Sequence, residues 1–282
     1  MGTVFLGIDF AKEKFTHRVK GWRCVSSYND RKIVRLGEAL DVVKYEVPAK
    51  FSANRGKKML WFSDLHFGGN GKIEGKVLTE SLEFIRQIQP EYVIYGGDVV
   101  KYSSTLPLVR DFLKSLPEKS EKMAVLGNWE YSKSWLKLKD WKEFFKNSGF
   151  KLLVNEGCET DGFFFYGTDD LRKGHIVRPQ EEIPDDKDIV FLTHSPDAFI
   201  HISNNKILKQ ASLVLTGHTH GGQIRLPFLG ALLTSSRYWR KFDYGHFINS
   251  KKAHMVVSAG LGCSTLPVRV SCRRELALVT FI

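Results

Sequence analysis

The sequence predicts an α/β fold in which two sheets form one sandwich flanked by helices. Three observations predict it. Short apolar runs end abruptly at Gly, Asp, Asn or Ser; apolar residues at helical spacing lie between those runs; and the second half of the chain is richer in short strands separated by glycine turns.

Before about Lys57 the chain is basic and weakly patterned, with one alternating stretch at residues 42–47 that reads as an edge strand. Residues 58–62 then form an apolar run that stops at Ser63-Asp64. Residues 92–95 stop likewise at Gly96-Gly97-Asp98, and residues 124–126 at Gly127-Asn128. Each reads as a buried strand with polar residues at its carboxyl end. Between them Leu78, Leu82, Ile85 and Ile88 recur at helical spacing, as do Leu106, Val109, Leu113 and Leu116. Strand and helix in alternation imply parallel pairing with helical crossovers, and such sheets gather functional groups beyond the carboxyl ends of their strands. Further strands are expected at residues 163–166, 189–193, 213–216, 256–258 and 276–281. No internal repeat or low-complexity linker divides the chain, so the expected organisation is an N-terminal segment, residues 1–56, packed on a main domain of residues 57–282.

Composition narrows the function. With 282 residues, 43% of them hydrophobic and 26% charged, the chain suits one large soluble domain. Its 42 Lys and Arg against 31 Asp and Glu give a formal charge of +11, which attracts anions. Candidate partners are a phosphorylated small molecule, a lipid-linked substrate or an anionic membrane surface. Nucleic acid is disfavoured, because no recognition-helix or single-strand-binding motif is present. Cys24, Cys158, Cys263 and Cys272 form no Cys-x-x-Cys pair, which argues against a zinc ribbon or dithiol site and fits free thiols in a reducing compartment. The first residues lack a basic n-region, and no apolar run reaches the roughly 18 residues of a spanning helix. A cytoplasmic location is expected, with any membrane contact peripheral and on the inner face.

The chemistry sits in Asp64 and His66 of Ser-Asp-Leu-His-Phe-Gly, Asp98 of Gly-Gly-Asp, Asn128 of Gly-Asn-Trp-Glu, His194 of Thr-His-Ser-Pro-Asp, and His218 and His220 of Gly-His-Thr-His-Gly-Gly. Imidazole, carboxylate and carboxamide without thiolate suit a catalytic site for Zn, Mn, Fe or Ni. On extended backbone, Asp-x-His and His-x-His direct both side chains to one face, about 7 Å apart at the backbone. A carboxylate such as Asp98 has two oxygens and can bridge ions about 3.5–4 Å apart. Glycines before Asp98, Asn128 and His218 permit sharp turns and leave room for a phosphate.

In this order the motifs from Asp64 to His220 resemble the signature of the calcineurin-like metallophosphoesterase family. The runs Gly221-Gly222-Gln223-Ile224-Arg225-Leu226-Pro227, Gly260-Leu261-Gly262 and Leu266-Pro267-Val268-Arg269 resemble a bacterial branch of small phosphodiesterases within it. The resemblance implies a calcineurin-like β-sandwich of two mixed sheets flanked by helices, holding two divalent metal ions. Asp64, His66 and His220 would hold one ion; Asn128, His194 and His218 the other; and Asp98 would bridge them. Hydrolysis of a phosphodiester or phosphoanhydride through a metal-bridging hydroxide is implied, with Asp98, Asn128 and His194 at the catalytic centre. Trp129, His175 and Arg269 are the substrate-binding candidates.

Trp129 departs from the family pattern, in which His usually follows Gly-Asn; the resemblance would assign that His to protonating the leaving group or stabilising the transition state. Indole does not give up its N–H proton near pH 7. General acid catalysis contributes about 100- to 10,000-fold and matters most for a basic alkoxide, so a phosphoanhydride or activated ester is the expected substrate class. UDP-2,3-diacylglucosamine pyrophosphatases of lipid A synthesis, relatives that also lack this His, supply one specific alternative; a metal-binding scaffold with little catalytic activity is another. His175 could substitute as the acid. Two apolar and basic stretches could meet lipid: Trp135, Leu138, Trp141 and Phe145 on one helical face, and residues 226–233 followed by Arg237, Tyr238, Trp239, Arg240 and Lys241. The competing account has the first packing on the protein's own sheet and the second forming a core loop with a solvated basic rim.

Overall fold

The central strands of this chain bury both faces, and their two-residue periodicity sorts side chains into three apolar layers. In the computed structural model, which describes residues 19–27, 30–37, 39–68, 71–132, 136–180, 182–226 and 229–282, two seven-stranded sheets stack face to face. With elements numbered along the chain, the first sheet runs β2 (Lys32–Leu36), β3 (Leu40–Val47), β16 (Arg274–Phe281), β4 (Lys58–Phe62), β5 (Tyr92–Tyr95), β6 (Glu121–Ala124) and β7 (Lys151–Leu152). The second runs β1 (Trp22–Ser26), β14 (Gly245–Asn249), β15 (His254–Val257), β11 (Ala211–Thr216), β10 (Asp188–Leu192), β9 (Phe163–Gly167) and β8 (Glu156–Glu159). A two-stranded ribbon, β12 (Arg225–Leu226) with β13 (Gly230–Ala231), stands apart. Both sheets are mixed: β4 to β7 are parallel and β16 is antiparallel to β4, while β9, β10, β11 and β15 are parallel, β14 and β8 reverse direction, and β1, antiparallel to β14, runs with the parallel set.

The helices are α1 (Gly71–Ile88), α2 (Leu106–Lys114), α3 (Asn128–Ser132), α4 (Leu138–Asn147), α5 (Pro196–Ile202) and α6 (Asn205–Gln210). Between the sheets lie Met59, Trp61, Ile94, Phe163, Phe165, Val190 and Leu213. The alternate residues Leu60, Phe62, Val93 and Tyr95 face outward against Ile85 of α1, Val109 and Leu113 of α2, and Trp141 and Phe145 of α4. Phe164, Tyr166, Phe191 and Val214 do the same on the second sheet, against Phe199, Ile200 and Ile207. Each such side chain contributes about 1.5–3 kcal/mol by leaving water, so one strand's alternation stabilises two layers at once. Local signals fix the helix starts: Ser195 Oγ accepts from Ala198 N–H ahead of Pro196, and Asn204 Oδ1 accepts from Ile207 N–H.

Several expectations need correcting. The alternating stretch 42–47 belongs to β3, which is not an edge strand, because β2 pairs along it on one side and β16 on the other. The strand expected at 124–126 is β6, which starts at Glu121 and ends at Ala124; the apolar run continues past the ladder. α2 ends at Lys114, before Leu116. The lipid-facing reading of the 135–145 helix fails: Trp141 and Phe145 of α4 are buried in the core, only Leu138 is exposed, and Trp135 lies outside the described residues. Among the described residues, no helix is long and apolar enough to cross a membrane.

Candidate metal centre and active site

The strand ends converge on one rim. Asp64 follows β4, Asp98 follows β5, Asn128 opens α3 after β6, His194 follows β10, and His218 and His220 follow β11. Backbone hydrogen bonds tie these loops together, from Asp64 N–H to Gly97 O (2.9 Å), His66 N–H to Asp98 O (3.0 Å) and Gly217 N–H to His194 O (2.9 Å). The side chains form two groups, Asp64 with His66 and His220, and Asp98 with His194 and His218, each with its donor atoms within 4.8 Å of one another. All six are buried.

Each carboxylate is aimed by the protein. Asp64 Oδ2 accepts from Ser63 Oγ–H (2.5 Å) and His218 N–H (3.0 Å), leaving Oδ1 toward His220 Nε2 (3.6 Å). Asp98 Oδ1 accepts from Trp129 N–H (2.9 Å), and Oδ2 lies 3.3 Å from His66 Nε2 and 3.4 Å from His194 Nε2, between the two groups. His194 Nδ1 lies 2.7 Å from Gly96 O, which makes Nδ1 the donor and turns the Nε2 lone pair inward.

Backbone is strained to achieve this. Asp64, His66, Asp98, His218 and His220 hold φ between 43° and 69°, a left-handed conformation costing of order 1–3 kcal/mol for each non-glycine residue. Gly97 (φ 90°) permits the Asp98 loop to lie against its neighbour: a Cβ there would sit 2.4 Å from Gly127 N. The sequence reading missed Glu130, which fixes the same two loops. Buried on α3, its carboxylate accepts from Asp98 N–H (3.0 Å), Val99 N–H (2.6 Å) and Gly127 N–H (2.7 Å). Its spacing from Gly127 was the available signal, since an acid at the third helical position reaches back to the capping residue's N–H. Burial, then the Asp98 charge, raises its pKa to about 7.

Electrostatics favour a cation here. Burial lowers the pKa of His66 to about 4 and of His220 to about 3, and burial together with the neighbouring His194 and Arg172 charges holds His218 well below the usual range. These three are neutral at pH 7, the form that ligates metal. Burial opposes charge on His194 too, but Asp98 beside it raises its pKa to about 10; burial would raise Asp98, yet His194 and His66 hold it far below the usual carboxylate range. A proton thus stabilises the His194–Asp98 pair, and a metal ion competes for that position.

Donor chemistry fits divalent ions. His66 Nε2 and His220 Nε2 are 3.2 Å apart, and His194 Nε2 and His218 Nδ1 are 2.9 Å apart, separations that need a proton or a cation between the lone pairs. Asp64 Oδ1 and Asn128 Oδ1 are buried without a hydrogen-bond partner, a desolvation cost of about 1–3 kcal/mol each that coordination would remove.

The remaining candidates spread around this centre. Trp129 is half-buried, its ring 4.6 Å from that of His66 in an edge-on arrangement. His175 is exposed on a loop organised by Asp169, which accepts from His175 N–H (2.7 Å) and from Tyr131 Oη–H. Arg269 directs its guanidinium to backbone carbonyls, those of Ala259 (2.7 Å), Gly262 (2.9 Å from Nε) and His220 (3.3 Å), and so holds the glycine loop against the His220 loop. Of the basic stretch near 226–241, Pro227 and Phe228 lie outside the described residues; Leu226, Leu229, Leu232, Leu233 and Trp239 are exposed rather than in a core loop.

Comparison with known proteins agrees with this geometry. The family model described as calcineurin-like phosphoesterase matches residues 57–222. The metallophosphoesterase YkuE of Bacillus subtilis is 28% identical over 236 residues, covering 80% of this chain and 79% of that protein. A metallophosphoesterase of Aquifex aeolicus is 28% identical over 257 residues, covering 86% and 91%. The phosphodiesterase YaeI of Escherichia coli is 25% identical over 237 residues, covering 80% and 82%. With the two-sheet sandwich, the twin donor groups and a family match across more than half its length, the chain belongs to the calcineurin-like phosphoesterases and is a metal-dependent phosphoester hydrolase.

Proposed function

We propose that the protein hydrolyses phosphodiesters or phosphoanhydrides whose leaving groups depart without a proton, using two divalent ions. Asp64, His66 and His220 hold one ion, Asn128, His194 and His218 the other, and Asp98 serves both. The observation that carries this reading is the position of Asp98 Oδ2, 3.3 Å from His66 Nε2 and 3.4 Å from His194 Nε2. Divalent ions bound there supply Lewis acidity, acidifying water and neutralising charge on phosphoryl oxygens.

The chain's own residues supply position. Trp129 N–H and the Glu130 carboxylate fix the Asp98 loop, and Gly96 O fixes the His194 ring. The Trp129 indole covers His66 and limits water on that side, but it offers no acid to a leaving alkoxide. Phenolates and phosphates leave without one. Arg269 acts by holding the loop that carries His220.

Metal analysis of the purified protein, followed by turnover of bis-p-nitrophenyl phosphate and a panel of UDP-sugars with added manganese, tests the reading. Two ions per chain lost together in Asp98→Ala, with manganese-dependent turnover in the parent, are the expected results. Metal uptake without turnover of any member would overturn hydrolysis and leave a metal-binding scaffold.

A further inference from the structure

Beside the metal centre is a cavity of about 270 Å³ that shares a wall with it: Thr219 and His220 form one side, and Ile224, Leu232, Leu233 and Leu266 line much of the rest. Resting on the hydrolase reading above, we propose that this cavity holds an alkyl or acyl chain carried by the substrate, so that the protein acts on amphiphilic phosphoesters.

The cavity is built into the fold. Gln223, buried with φ 55°, ties its own wall to the 264–268 segment: Nε2 donates to Leu266 O (2.6 Å) and Val268 O (2.8 Å), and Oε1 accepts from Ser264 N–H (3.0 Å). Leu232 N–H donates to Ile224 O (3.1 Å), and Val270 N–H to Gln223 O (3.0 Å), so three segments are stitched around one space. Gly222 (φ 80°) allows the floor to close, because a Cβ there would lie 2.3 Å from Ala231 Cβ. The Gly221-Gly222-Gln223-Ile224 run, which supplies no ligand beyond His220, is accounted for by this wall.

Its chemistry points to a chain with an anionic head. Leu232 is 44% exposed, Leu233 73% and Leu266 57%, apolar surface that a chain passing over them would cover. Arg172 brings a positive charge to the cavity wall, where its guanidinium hydrogen-bonds Ser235 O. A phosphoryl group between these features meets the donor groups on one side and the guanidinium on the other, with its substituent directed along the leucines. Electrostatic complementarity and continuity with the centre favour a substrate chain over a separate protein partner.

The test is a series of p-nitrophenyl alkyl phosphates, methyl, butyl and octyl, assayed with manganese below their micellar range. For the parent protein kcat/KM should rise about two- to fourfold per methylene, up to the ~0.8 kcal/mol expected of a buried CH₂. In Leu232→Asp/Leu266→Asp, both positions being exposed and tolerant of charge, the octyl-to-methyl ratio should fall toward one. Calorimetric titration of the metal-free protein with octylphosphonate and methylphosphonate supplies a readout independent of turnover, and tighter binding of the octyl compound is expected. Manganese-dependent turnover with a flat series and equal phosphonate binding would overturn the chain site alone. No turnover with preferential octylphosphonate binding would remove the hydrolase reading while keeping the cavity. Leucine-dependent binding to phosphatidylglycerol vesicles combined with a flat series would assign these leucines to a membrane surface and overturn the proposal.

Discussion

Replacing Gly97 by Ala adds one methyl group where two ligand loops touch, and its effect can be worked from the contact. The new Cβ would meet Gly127 N at 2.4 Å, about 1 Å short of the 3.4 Å at which ordinary contact begins, and the atoms it meets are backbone. No side chain can swing away. The loops must therefore separate by roughly that distance, carrying Asp98 away from Asn128. Holding Ala in a left-handed conformation costs about 1–2 kcal/mol, and the overpacking adds about 1–3 kcal/mol. Gly149 supplies the control: it has φ 80° and nothing within 4 Å of the built Cβ, so Gly149→Ala carries the conformational cost without the collision. At about 2–4 °C per kcal/mol, Gly97→Ala should melt about 2–12 °C below Gly149→Ala by differential scanning fluorimetry. A 1 Å displacement also exceeds the roughly 0.2 Å tolerance of metal–ligand distances and should lower turnover of bis-p-nitrophenyl phosphate about 100-fold. Equal melting temperatures and manganese affinities in the two variants would refute the idea that close packing of these loops sets the spacing of the donors.

Three further outcomes follow from the site and the core. Trp129→His should raise turnover of diesters with alkoxide leaving groups by about tenfold or more while changing anhydrides little, and equal gains for both classes would end the leaving-group argument. Manganese at a hundred times its Kd should stabilise the protein by ~2.7 kcal/mol, raising Tm by about 5–10 °C in a manner reversed by EDTA; an unchanged Tm would show that the donor groups do not take up the ion. His246 and His254, 2.9 Å apart on β14 and β15, have pKa values lowered to about 4, in both by burial first and in His246 also by its neighbour. The unfolded chain takes up protons there that the folded chain refuses, so stability present above pH 6.5 is lost as pH falls through about 4. Thermal denaturation between those limits should show a steeper acid decline in the parent than in His246→Asn/His254→Asn, and matching profiles would count against this linkage.

How much was legible in the sequence depends on what each residue does. The donors stood out because their types are rare together and each follows an apolar run, so strand and ligand announce one another. β4 and β5 were read at their observed bounds for the same reason. β2 was not, since Lys32, Arg35 and their neighbours leave little apolar periodicity in a strand whose faces are largely solvated. β3 read as an edge because Lys44 and Glu46 point to solvent, although its backbone is paired on both sides. One face of a strand informs pattern, while pairing is a matter of backbone, which side chains do not report. Glu130, Gln223 and the clamp formed by Arg269 escaped for a related reason: they work by binding main-chain groups of distant segments, and neither partner leaves a mark on composition.

The position of β16 has a consequence for assembly. β3 and β4 are successive in the chain, but β16 lies between them, parallel to one and antiparallel to the other. A nascent polypeptide that has emerged as far as His220 already carries every donor, yet its first sheet has a slot where Ala277, Val279 and Phe281 belong. Two unpaired strand borders flank that slot, and such borders invite pairing with other chains. Closing it requires contact between the most distant parts of the sequence, a slow step in folding. Synthesis of this protein is therefore expected to pass through an interval in which the ligands exist but the framework that spaces them does not, and chaperone dependence should be concentrated there.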